Sequence, residues 1–345
     1  MHRLQSIYIN QASMNLDATY MGLKLRSPIV VSACTLSEEM DNILLMEDSG
    51  AGAVVLFSLF EEQIQAEQDC FNGIVRPKRE TLRKEGELPE MEDYRFNSEE
   101  YLENLRKIKE RVQIPIIGSL NGITPEGWID YSRRIELAGA DGLEININYI
   151  PTDLHLTGEN VEKRYLEIIQ QVRRNISIPL AVKLSPYFTA IGNTGLKMQQ
   201  SGADALVFFN RFYQPDFDIN TLQVLQNLRY SNASEIRLPL MWISLLSGKL
   251  EASLAASTGV QSAEEVIKYL LAGADVAMTA SALYKHGIRY LETMHQDLRN
   301  WMSSKNYESL AEFRGLMNQT QVVDPEEYER ANYIRILQQG RHLFL

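Results

Sequence analysis

The sequence predicts an α/β fold, one (β/α)8 TIM barrel carrying additions, and three observations lead there. A pattern of proline, apolar strand, helix, glycine and second strand recurs along the chain. The strands are near-continuous apolar runs separated by helices, which requires parallel pairing and burial on both faces. Four copies of the pattern supply the eight strands of a closed barrel. An open doubly wound sheet is the structural alternative, because strand count alone does not impose closure.

The copies can be read in order. Pro28 opens Ile29-Val30-Val31, a helix follows from about Glu38, and Ser49-Gly50-Ala51-Gly52 leads into Ala53 to Phe57. Pro115 opens Ile116 to Ser119, a helix follows from Pro125, and Ala138-Gly139-Ala140-Asp141 leads into Gly142 to Asn146. Pro179 opens Leu180 to Leu184, and Ser201-Gly202-Ala203-Asp204 leads into Ala205 to Phe209. The fourth copy lacks the proline but keeps the order: Leu250 to Ser257, a helix from Ser262, then Ala272-Gly273-Ala274-Asp275 before Val276 to Thr279. Each glycine suits a helix C-terminus, where a left-handed residue turns the chain. Between the copies lie helices over Glu99 to Arg111, Gly158 to Asn175 and Leu238 to Leu246, the last with Pro239 in its first turn and Gly248 past its end.

The additions divide the chain into a polar extension at 1–13, expected to be disordered, a barrel at 14–304 and a helical extension at 305–345 packed on it. Met14 reads as a second possible start, just before a short hairpin at Thr19 to Leu25. Residues 59–97 and 210–237 follow strands two and six and are long enough to read as functional lids. The tail patterns as helix over Tyr307 to Leu316 and Pro325 to Leu337, to cover a barrel face or join a homodimer contact.

Composition excludes several classes of function. The net charge of −11 over 345 residues argues against nucleic acid as a partner, since phosphate backbones are bound by clustered Lys and Arg. No apolar run approaches the roughly 20 residues that span a bilayer, so neither membrane nor export is expected and the location reads as cytoplasmic. Cys34 and Cys70 are too few for a disulfide framework, and the five histidines show no ligand spacing, so no metal is expected.

In barrels the active site lies at the C-terminal strand ends, and here those ends are polar. Glu144, Asn146 and Asn148 share one face of strand four by their period of two. Thr258-Gly259-Val260 and Ala280-Ser281-Ala282 fit a phosphate site built from loops seven and eight; packing alone also produces such turns. Lys183 is a lone ammonium in the apolar run Leu180 to Phe188. Burying it calls for an anion or acceptors, and a snorkelling head in water is the other reading. Cys34 reads as a small apolar side chain rather than a nucleophile.

At these residues the sequence resembles the dihydroorotate dehydrogenase family of FMN-dependent barrels, over about residues 14–300. The similar stretches are Ser27 to Ala33, Glu144-Ile145-Asn146, Ala181 to Phe188, Ser257 to Val260 and Ala280 to Leu283, with Val-Lys-Leu-x-Pro the most specific. The resemblance implies FMN over the barrel mouth, its phosphate at Thr258, Gly259, Ala280 and Ser281, and Lys183 near the pyrimidine edge of the ring. Ser32, Ala33 and Ser119 would line the flavin, and Asn146 and Asn210 would hold a pyrimidine-like substrate.

Two departures fall on the substrate side. Tyr149 stands where the family carries its Cys or Ser base, and a phenol, with an ordinary pKa near 10, needs activation to take a proton. Strand two ends Leu56-Phe57-Ser58, where typical members have a lysine before Ser, and the family's asparagine-rich substrate loop is not recognisable in 59–97. Arg211, in the loop after strand six, offers bidentate binding to a carboxylate. The expected function is oxidation of dihydroorotate or a related small anionic cyclic substrate. Tyr149 would act as acid/base and Lys183 as electrostatic partner, with a soluble acceptor or a partner subunit taking the electrons. A flavin-binding paralogue without turnover is one alternative. A flavin-free lyase or isomerase using a Lys183 Schiff base is the other.

Overall fold

A computed structural model describes residues 14–71, 94–124, 126–211, 214–225, 229–322 and 324–340. The expectation for 1–13 and the middle of the 59–97 segment lie outside these residues.

Eight parallel strands close into a barrel: β1 (Ile29–Val31), β2 (Ala53–Val55), β3 (Ile116–Gly122), β4 (Gly142–Ile147), β5 (Leu180–Lys183), β6 (Ala205–Phe208), β7 (Ser253–Ala256) and β8 (Val276–Thr279). Each pairs with the next, and β8 pairs back to β1 with Met278 opposite Val30. That pairing removes the free edges an open sheet would keep, so the doubly wound alternative falls. Eight helices alternate with the strands: α1 (Met40–Asp48), α2 (Ser98–Lys109), α3 (Glu126–Leu137), α4 (Gly158–Asn175), α5 (Ile191–Gln200), α6 (Arg237–Leu246), α7 (Ala263–Ala272) and α8 (Tyr290–Lys305).

The repeat has a physical basis. Gly50, Gly139, Gly202 and Gly273 all lie in the left-handed region, with φ between +98° and +110°, where a side chain is strained. The aspartate two residues on pins the start of the preceding strand in three copies. Asp141 Oδ2 accepts from Ile116 N at 2.7 Å, Asp204 Oδ2 from Leu180 N at 2.8 Å, and Asp275 Oδ2 from Leu254 N at 2.8 Å. The first copy carries Gly52 instead, because a Cβ there would sit 2.1 Å from the Ser27 carbonyl oxygen.

The N-terminal hairpin (Ala18–Tyr20 with Leu23–Leu25) plugs the barrel floor. Tyr20, Met21 and Leu25 join the inward side chains Val30, Val55, Ile117, Val207 and Met278 in one buried cluster. Burial of such apolar area contributes about 25 cal/mol per Å². A larger cluster lies between the strands and helices.

Two long segments carry short elements of their own, and one predicted helix does not form. The long segment after β2 contains a short strand, Leu59–Phe60, that extends the sheet beside β3, and a helix, Glu61–Phe71. The segment after β6 contains a small hairpin, Phe217–Asp218 with Gln223–Val224. Tyr307 to Leu316 forms a single 3-10 turn (Leu310–Glu312), not a long helix. Here Gly315 N donates to Leu270 O at 2.9 Å and Met317 N to Leu271 O at 2.9 Å, docking the backbone on α7 in a way a continuing helix forbids. A helix does form at Pro325–Gly340. Among the described residues no helix is long and apolar enough to cross a membrane.

Candidate active site

A cleft of about 360 Å³ opens at the C-terminal mouth, over the ends of β5 to β8 and β1. Ser32, Ala33, Lys183, Asn210, Arg211, Thr258, Gly259, Ala280 and Ser281 all line it. Nine of the residues singled out in the sequence therefore meet in one place.

Lys183 ends β5 with 6% of its surface exposed. Its Nζ lies 3.2 Å from Ser32 Oγ and 3.3 Å from Glu144 Oε1. Glu144 is fully buried, and the register that sets Asn146 opposite Lys183 puts it one inward position below. The barrel thus supplies the lysine's counter-ion from its own interior. Of the three N–H donors of an ammonium, two are engaged by these partners, which leaves one for the cleft. Among the described residues Glu144 Oε2 has no hydrogen-bond partner, nor does the buried Tyr20 hydroxyl on the floor. Burial, reinforced by the nearby carboxylates Glu144 and Asp275, pushes the Tyr20 phenol well above its ordinary range, so it stays neutral. Burial also raises the Cys34 thiol in the cleft wall, which keeps it protonated and unreactive.

At the other end of the cleft the chain is strained. Thr258 and Gly259 both have φ +78°, and a β-branched residue in that region is an outlier that its surroundings must hold. Thr258 Oγ1 donates to Phe209 O at 3.1 Å, and Tyr269 Oη donates to Thr258 O at 2.9 Å. Gly259 N donates to Ser231 Oγ at 3.3 Å, and Ser231 Oγ lies 2.9 Å from Ser281 Oγ. Ser231 escaped the sequence reading because it sits in a long segment without periodicity. The Asn232-Ala-Ser-Glu235 capping box that follows it was the available signal of an ordered turn.

Ser119, Asn146 and Tyr149 do not line the cleft. Asn146 Nδ2 donates to Ser119 Oγ at 3.2 Å and to Leu120 O at 3.3 Å, and Ser119 Oγ lies 2.8 Å from Ser58 Oγ. Tyr149 is half-buried beyond the end of β4, with the Arg164 guanidinium 4.2 Å from its ring centre. Arg211 reaches the cleft, yet its Nε pairs with Glu235 Oε2 at 3.3 Å and it also donates to the Arg229 carbonyl.

This donor set fits a flavin phosphate ester: hydroxyls at the strained end, a buried ammonium with a remaining donor at the other, and a cleft in the size range of cofactor sites. Fold and mouth together define a closed (β/α)8 barrel with a buried lysine at the floor of its C-terminal cleft. The family model described as dihydroorotate dehydrogenase matches residues 95–302, and the chain belongs to that family. It is similar to the NAD-dependent dihydropyrimidine dehydrogenase subunit PreA of Escherichia coli (strain K12), 24% identical over 350 residues, covering 92% of this chain and 80% of that protein. It is also similar to the dihydroorotate dehydrogenase B (NAD(+)) catalytic subunits of Methanocella arvoryzae, 26% identical over 310 residues (85% and 95% covered), and Thermoplasma volcanium, 25% identical over 318 residues (88% and 98% covered). The protein is a dihydroorotate dehydrogenase-like oxidoreductase.

Proposed function

We propose that this chain is a cytoplasmic FMN-dependent dehydrogenase that oxidises dihydroorotate or a related small cyclic substrate. The observation that carries the reading is Lys183, a buried ammonium with a donor left over, facing a cleft that ends in hydroxyls. When bound, FMN supplies the hydride acceptor. Lys183 and Ser32 would orient the ring and Ser281 the phosphate. Glu144 keeps Lys183 aimed into the mouth, since a lysine without that partner would be free to swing toward water.

With that acceptor in place, forming a C=C bond in the substrate would also require a base to take the second hydrogen as a proton. We assign the base to Tyr149, which stands outside the cleft lining just beyond β4, beside the strand that carries Lys183 and with the Arg164 guanidinium over its ring. Replacing it with Phe lowers the rate of substrate oxidation by about 10²- to 10⁴-fold, the usual worth of a general base. Asn148 Oδ1, buried beyond β4 and without a partner among the described residues, is an acceptor suited to a ring N–H.

A second substrate reading has its own support. Arg211 is paired with Glu235, and Arg229 with Asp216 at 2.5 Å, so the guanidiniums at the mouth are already matched by carboxylates. That favours an uncharged dihydropyrimidine, as in the name of the Escherichia coli relative. Because the relatives are named as subunits, we also infer a partner subunit that carries the electrons away. Anaerobic mixing of the FMN-loaded chain with dihydroorotate, and separately with dihydrouracil, tests the function. Bleaching of the flavin absorbance by one of them is the expected result. An unchanged spectrum with both leaves a flavin-binding paralogue, and a chain that takes up no FMN sinks the reading altogether.

A further inference from the structure

We infer that Ser231, carried on the loop after β6, is a phosphate-binding residue of the cofactor cleft, acting as a hydroxyl pair with Ser281. The inference rests on the FMN reading above and assigns to it a residue that neither strand seven nor strand eight supplies.

Ser231 is 6% exposed yet lines the cleft. Its Oγ accepts from Gly259 N at 3.3 Å, its own N donates to Ser281 Oγ at 3.3 Å, and the two hydroxyl oxygens lie 2.9 Å apart. Each hydroxyl has one proton and two lone pairs. If Ser231 donates to Ser281, the Ser281 oxygen has both lone pairs filled and its own O–H is left over. If Ser281 donates to Ser231, the Ser231 oxygen is filled by Gly259 N and Ser281, and the Ser231 O–H is left over. In both arrangements the pair presents one hydroxyl that is purely a donor. That donor, on buried Ser231 or half-buried Ser281, faces the cleft and suits an acceptor, of which an anionic oxygen is the strongest.

The surroundings point the same way. Lys285 Nζ donates to the Ser231 carbonyl at 2.8 Å, which brings a positive charge to the backbone of this turn. The Tyr230 ring stacks on Tyr284 with centroids 5.1 Å apart and 12° between planes. Tyr284 in turn bonds Thr35 Oγ1 at 2.5 Å, so the turn is anchored to the loops after β8 and β1. Gly259 is crowded on its other side: a Cβ there would meet Ile236 Cγ2 at 2.6 Å. Its glycine therefore lets the β6 loop close over it, and Ser231 takes the N–H that would otherwise face the cleft. The chemical class recognised is a phosphate monoester on the cofactor.

The test is to titrate the full chain, freed of flavin, with FMN and with riboflavin, for wild type, Ser231→Ala and Ser231→Asp. Quenching of flavin fluorescence reads the dissociation constants, and melting temperature checks the fold. Ser231→Ala should weaken FMN about tenfold and Ser231→Asp about 100-fold or more, while riboflavin, which lacks the phosphate, changes by less than about twofold. Equal weakening of both flavins, or FMN binding untouched by Ser231→Asp, overturns the inference and leaves the FMN reading standing. A wild-type chain that binds neither flavin overturns both.

Discussion

The two halves of the barrel mouth solve the same problem in opposite ways. Between β5 and β1 the polar side chains keep donors in hand: Lys183 has one left, and the Ser231–Ser281 pair has another. Between β2 and β4 they satisfy one another, through Ser58, Ser119 and Asn146, and beyond β4 an acceptor, Asn148 Oδ1, has no partner among the described residues. Polar residues at a strand end are therefore no guide by themselves to where a ligand sits. The hydrogen bonds they fail to make are the guide, and here they separate a half suited to an anion-bearing cofactor from a half suited to a ring N–H.

The contrast can be broken most sharply at Lys183. Lys183→Met leaves the Glu144 carboxylate buried without its ammonium, and the chain should lose about 3–5 kcal/mol of stability in urea unfolding. The double variant Lys183→Met with Glu144→Leu should recover most of that, because no charge then remains buried.

A smaller effect comes from the opposite end of the barrel and sharpens the comparison by belonging to neither half. His295 packs against Gly50 and lies 3.4 Å from Ser27 Oγ, and burial holds its imidazole down to about 4 from an ordinary 6.5. The unfolded chain binds that proton more readily. The stability due to neutral His295 is thus complete above pH 6.5 and lost as pH falls toward 4, on the order of 2–3 kcal/mol in all. His295→Gln should flatten that acid limb in pH-dependent melts, whereas variants in either half of the mouth should leave its shape alone.

The smallest effect is expected at Ser119. Ser119→Ala removes the hub of the β2–β4 network, and unfolding should show a loss of about 1–2 kcal/mol. A loss above that would mean the network also braces β5.

The fold was legible because the repeat encodes local physics: a glycine forced left-handed at each helix end, and an aspartate that pins the neighbouring strand in three copies. The cleft was legible at Ser32, Lys183, Thr258 and Ser281, because strand ends fix where those side chains emerge. Ser231 and the Arg211–Glu235 pair were not, since a long loop's path depends on contacts with no sequence period. The counter-ion of Lys183 was hidden differently. Glu144 stood out as one of three polar residues on a strand face, but only the register of β4 against β5 brings it to the ammonium. The Tyr307 to Leu316 segment shows the reverse case, where a helical pattern yielded to backbone docking on α7.

One measurement tests the central claim most directly: parallel FMN titrations of the wild-type chain, Lys183→Met and Ser119→Ala, read by flavin fluorescence. The wild-type and Ser119→Ala chains should bind FMN alike, within about threefold, and Lys183→Met should bind it at least about tenfold more weakly. Equal binding by all three, or a loss confined to Ser119→Ala, would contradict the assignment of the cofactor to the β5–β1 half.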